Sequence, residues 1–138
     1  MLNIKRLSQS DALQMIDAAE AKSRQIGVPM CIAVTDESGN LVAFSRMDGS
    51  KVLSVTLCQD KAYSAAVGRR ATHETNELCQ PGSLAFGIHT AGGGRFTVVG
   101  GGLPVFNGED VVGGIGCSSG TPDQDRECAQ AGIDSLDF

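Results

Sequence analysis

Two histidines are the only imidazoles in this chain, and each stands where it could do chemistry. His73 opens the run His73-Glu74-Thr75-Asn76-Glu77. On a helix, Glu74 and Glu77 are three apart and share one face, while His73 and Glu77 are four apart and share another. An imidazole with two carboxylates is a ligand set for iron or another divalent metal. A capped, acidic helix start accounts for the same residues, because negative side chains complement the positive end of the helix. His89 lies in a stretch of little periodicity between Phe86 and Gly92-Gly93-Gly94. The third candidate is Lys61, which falls in the otherwise apolar run KAYSAA. A lysine buried there demands a carboxylate partner, for which Asp36 and Asp48 are available. Lys61 with Asp36 is a candidate catalytic pair for an enzyme acting on a small hydroxy acid or similar metabolite; a snorkelling or structurally paired lysine is the alternative. Ser118 and Ser119 have no histidine near them in the sequence, so no serine nucleophile system is legible.

These residues need elements to hold them. The spacing predicts a first helix capped by Ser8 or Ser10, with Ala12, Met15, Ile16, Ala19 and Ile26 as its buried stripe and Gly27-Val28-Pro29 as its stop. Met30 to Thr35 and Leu41 to Met47 read as strands of a hairpin. Val52 to Val67 has helical periodicity and carries Lys61, and a short helix capped by Thr72 carries His73. Arg95 to Val99 reads as a strand, as do Leu103 to Phe106 and Val111 to Cys117, the last two joined by the tight-turn dipeptide Asn107-Gly108. Gly113, Gly114 and Gly116 interrupt the final strand where something must approach its backbone closely. Thr121, Pro122 and Gln124 form the capping signature of a last helix. The glycine corner before that helix is not a dinucleotide-binding turn: its spacing differs from GxGxxG, no strand follows the helix, and Asp123 and Asp125 already occupy the helix start. With two hairpin connections, a mainly antiparallel sheet with helices packed on it is expected.

A chain of 138 residues with 41% hydrophobic and 20% charged residues is expected to form one domain, residues 1–138, of ordinary globular character. The net charge of −5 argues against nucleic acid as a partner, and no apolar run approaches the length of a membrane span. Five cysteines without CxxC spacing and no visible export signal predict free core thiols in a cytoplasmic protein.

IAVTDESGNLVAFSRMDGS at 32–50 and GGGLPVFNGEDVVGGIGCSSGTPDQD at 100–125 resemble the GlcG/HbpS/PduO C-terminal family, also described as haem-degrading or DUF336-like domains. KAYSAA, ATHETNELCQPGS and GRFTVVGGGLP are most similar to its PduO C-terminal branch, so the resemblance covers essentially the whole chain. It implies a profilin-like α/β sandwich (α+β) with a five-stranded, mainly antiparallel sheet, assembled as a homo-oligomer, a dimer or larger. It further implies haem as cofactor for some members, and for others a place beside glycolate, propanediol or glycerol catabolism. On that resemblance, His73 and His89 are the candidate axial ligands, with Cys31, Cys58 and Cys79 as thiolate alternatives. Haem-binding relatives carry a histidine early in the first helix, where this chain has none. A non-catalytic scaffold or accessory subunit of a corrinoid-dependent pathway is the second reading that the resemblance supports.

Overall fold

The computed structural model describes residues 1–138. Helix α1, Gln9–Ile26, begins at Ser8, whose hydroxyl accepts the Asp11 N–H while the Asp11 carboxylate accepts the Ser8 N–H. It ends at Gly27, which takes the left-handed conformation at φ 71°. Strands β1, Cys31–Asp36, and β2, Leu41–Arg46, form the expected hairpin. Helices α2, Ser54–Gly68, and α3, Thr72–Leu78, follow, and 3-10 turns occupy Ile88–Thr90 and Gly92–Gly94. Strands β3, Gly102–Asn107, and β4, Asp110–Ser118, lead into α4, Pro122–Asp134.

The sheet has four strands in the order β2-β1-β4-β3, and every neighbouring pair is antiparallel. The central strand β1 is buried along its whole length and alternates its side chains between two cores. Ile32 and Val34 join Met15, Ile16, Ile115 and Ala129 under α1 and α4, while Cys31 and Ala33 meet Cys58 and Ala62 of α2 on the other face. Each large aliphatic side chain buried in these layers contributes about 1.5–3 kcal/mol.

The α2 layer explains the glycines of β4. A Cβ at Gly116 would stand 2.6 Å from the Ala62 nitrogen, and one at Gly114 would stand 3.0 Å from the Ala66 Cβ. The helix therefore lies directly on the strand backbone. This close approach is what brings Lys61 to the end of β4.

Five strands were expected and four are present. Arg95 to Val99 forms no strand, although its residues suit one. Its polar groups are taken by the helices instead: the Thr97 N–H donates to Ser64 Oγ at 2.8 Å, Ser64 Oγ donates to the Arg95 carbonyl at 3.2 Å, and Asn76 Nδ2 donates to the Val98 carbonyl at 3.0 Å. The Arg95 guanidinium lies 4.2 Å from the centre of the Tyr63 ring. The segment thus crosses α2, and β3 remains the sheet edge, where Pro104 is tolerated despite lacking an N–H. Thr72 also departs from expectation. It does not cap α3; its hydroxyl accepts the Gly102 N–H at 3.0 Å and ties the helix to the start of β3.

Candidate functional site

Lys61 is the largest fully buried side chain, with 1% of its surface exposed. Its ammonium donates to Asp125 Oδ2 at 2.7 Å and to the Cys117 carbonyl at 3.0 Å. Asp125, in the first turn of α4 and 2% exposed, accepts the Gly120 N–H on its other oxygen at 2.9 Å. The partner is therefore neither Asp36 nor Asp48. Asp36 closes the β1–β2 hairpin, where one carboxylate oxygen accepts the Ser38 and Asn40 N–H groups at 2.9 and 2.8 Å and the other lies 3.7 Å from Arg6 Nε. Asp36 is thus spent on turn geometry and is not paired with Lys61. In the sequence Asp125 stands only as a helix-end charge, because nothing local brings the start of α4 over α2.

Beside this pair the chain is strained. Ser119 has φ 129°, a conformation that side-chain-bearing residues rarely adopt and that costs about 1–3 kcal/mol. Its hydroxyl accepts the Lys51 N–H at 2.7 Å and shares a 3.0 Å hydrogen bond with the Ser54 hydroxyl. Ser119 thereby joins the glycine corner to the start of α2. A cleft of about 130 Å³ opens here, with Ser54, Ser118, Ser119, Lys61 and Asp125 on its wall and Leu53, Leu57, Val99 and Pro122 also lining it.

The histidines lie elsewhere and differ from each other. His73, in the first turn of α3, packs its Cβ toward Gly100, and its Nδ1 is buried without a hydrogen-bond partner. Glu74 and Glu77 are exposed, and no group of three metal-ligating side chains forms anywhere in the chain. The His73, Glu74 and Glu77 metal set is therefore not assembled: the half-buried imidazole turns Nδ1 into the protein, while the two carboxylates are exposed. His89 is exposed in the 3-10 turn Ile88–Thr90, its ring edge-on to Phe86 with 6.4 Å between centroids. Leu84, Phe86 and Ile88 around it are also exposed.

All five cysteines are free and buried. Burial pushes the Cys58 thiol up to about 12, with the neighbouring Cys31 adding to the effect. It pushes Cys128 to about 11 and raises Cys117 as well. A thiolate at these three positions is costly, which disfavours Cys58 among the thiolate alternatives. Haem asks for an axial donor beside an apolar slot. The segment bearing His89, with its exposed aromatic and aliphatic neighbours, fits that requirement, whereas Nδ1 of His73 is buried.

Comparison with known proteins agrees with this architecture. Residues 7–134 match the family described as "Haem degrading protein HbpS-like". The chain is 37% identical over 131 residues to an uncharacterised 15.0 kDa protein of the dhaT-dhaS intergenic region of Citrobacter freundii, covering 95% of this chain and 92% of that one. It is 31% identical over 130 residues to the corrinoid adenosyltransferase PduO of Salmonella typhimurium, covering 94% of this chain but only 39% of PduO. The solved structure of a PduOC:heme complex superposes with a TM-score of 0.90 at 30% identity, over 95% of each chain. The matched stretch takes in the sheet and all four helices, and the chain belongs to the HbpS-like family.

Proposed function

We propose that this chain binds haem, or a closely related tetrapyrrole, on the segment between α3 and β3, with His89 as the axial ligand. The observation that carries it is an exposed imidazole set against exposed Phe86, Leu84 and Ile88, a donor and apolar surface in one place. The likeness to PduOC, whose structure holds heme, supplies the ligand class. His89 would hold the iron, and Phe86 would restrict the imidazole and cover part of the macrocycle. Haem in such a site supplies an iron centre for ligand exchange and one-electron chemistry. The exposed apolar side chains have no cover within the chain, so a second copy would form the opposite wall of the slot and the binding form would be a homo-oligomer. The role that follows is accessory to small-metabolite catabolism of diol, glycerol or glycolate type, in keeping with the likeness to PduO.

A haem titration followed by Soret absorbance tests this. Saturation at one haem per chain or per dimer is expected, lost in His89→Ala and kept in His73→Ala. Loss in His73→Ala alone would move the ligand to α3. Shallow uptake shared by the wild type and both variants would overturn the haem reading altogether.

A further inference from the structure

The cleft at the glycine corner is lined by none of Leu84, Phe86, Ile88 and His89, on which the haem reading rests, and takes only Val99 from the segment between α3 and β3. Its polar groups are not balanced. The Lys61 ammonium has three protons and gives two, to Asp125 and the Cys117 carbonyl. Ser54 and Ser119 share one hydrogen bond, so whichever donates, one hydroxyl proton of the pair is left over. Ser118 is 3% exposed, and its hydroxyl has no partner within the chain. Lys61, the Ser54–Ser119 pair and Ser118 thus each keep a donor in the lining of one small cavity, whose wall also carries the Asp125 carboxylate. Water satisfies these donors in the free chain, and a ligand that accepts hydrogen bonds would meet several of them at once.

The acceptor is small and anionic. A volume of about 130 Å³ corresponds to roughly four waters at ~30 Å³ each, the bulk of a molecule with three or so carbons. The lining residues include two lysines, Lys51 and Lys61, and a single carboxylate, Asp125, a formal excess of one positive charge. Each Asp125 oxygen accepts one hydrogen bond and retains a lone pair for a hydroxyl donor. Leu53, Leu57, Val99 and Pro122 suit a short carbon skeleton. Ser119 keeps its strained backbone at this point, as residues at binding sites often do.

We infer that this cleft is a binding site for a short 2-hydroxycarboxylate, with its carboxylate on the Ser118, Ser119 and Lys61 donors and its hydroxyl on Asp125. The inference is one of binding and holds whether or not the chain takes up haem.

The test is a two-dimensional amide NMR titration of the haem-free chain with lactate, run beside propionate and propane-1,2-diol. Saturable shifts of the Lys51 and Ser118–Gly120 amides are expected with lactate, with at least tenfold weaker binding of the two analogues. Ser118→Ala, which removes an unpartnered hydroxyl, should weaken lactate at least tenfold while leaving the melting temperature within a few degrees of wild type. No saturable shift with lactate would overturn the site. Equal binding of all three compounds, or unchanged binding in Ser118→Ala, would overturn the assigned contacts, and saturation by the diol alone would overturn the carboxylate assignment. None of these outcomes bears on Soret absorbance, so the haem reading stands or fails separately.

Discussion

Replacing Lys61 by methionine removes a buried charge while nearly keeping the volume. In the native chain the ammonium lies 2.7 Å from Asp125 Oδ2, an attraction of about 6 kcal/mol at an effective dielectric of about 20. Taking both groups out of water offsets most of that attraction. Methionine leaves Asp125 buried, with the Gly120 N–H as a partner but no cation. Breaking one side of such a pair costs about 3–5 kcal/mol. For a chain of this length that lowers Tm by roughly 10–20 °C. Asp125→Asn in the same chain removes the stranded charge and keeps an oxygen for the Gly120 N–H. The double variant Lys61→Met/Asp125→Asn should therefore recover at least about 1.5 kcal/mol relative to Lys61→Met. Urea unfolding followed by far-UV circular dichroism measures both numbers. A cost below about 1 kcal/mol for Lys61→Met, or a double variant that merely sums the two single ones, would refute the reasoning.

Two further outcomes follow from local geometry. Gly116→Ala should destabilise by about 3 kcal/mol or more, because the new Cβ meets the backbone of α2 at the Cys58 carbonyl and the Ala62 nitrogen. Gly108→Ala, in open space at φ 64°, should cost only about 1 kcal/mol, and equal losses in the two variants would contradict the account of the β4 glycines. Glu37 is held down at about 2, chiefly by its hydrogen bond from Arg6. Its folded value lies below its unfolded one, so the contribution of this pair is present above about pH 4.3 and is lost as pH falls through about 2. In a carboxyl NMR titration Arg6→Gln should move the Glu37 midpoint up toward the ordinary range; an unmoved midpoint would mean that Arg6 is not the cause.

What the sequence made legible was local in origin. The Ser8 and Thr121 caps, the Gly27 stop and the tight turn after β3 each involve residues within about four positions of one another; the first three stand as expected, and the turn is present one residue later, on Gly108-Glu109, with Asn107 paired to Asp110 as the end of β3. Gly113, Gly114 and Gly116 likewise announced a close approach to β4, since a glycine row in a strand has no other use for its missing side chains. They did not say what approached. The missing fifth strand shows the limit: Phe96 to Val99 has strand propensity, but Ser64 and Asn76 claim its backbone groups from helices 22 to 33 residues away. Propensity carries no information about such competitors.

The candidate sites divide in the same way. Sequence alone picked out Lys61 as a lysine on an apolar face and named the two imidazoles. It could not choose between His73 and His89, because burial of one nitrogen and exposure of the other ring depend on what packs against them. It could not find Asp125 as the partner of Lys61 either, since the two lie 64 residues apart and meet only where α2 and α4 converge on the end of β4. Periodicity and capping are properties of neighbours along the chain and so are written in it. Ion pairing, strain at Ser119 and a cleft with unmatched donors arise only when distant segments are packed together, and tertiary structure alone decided them.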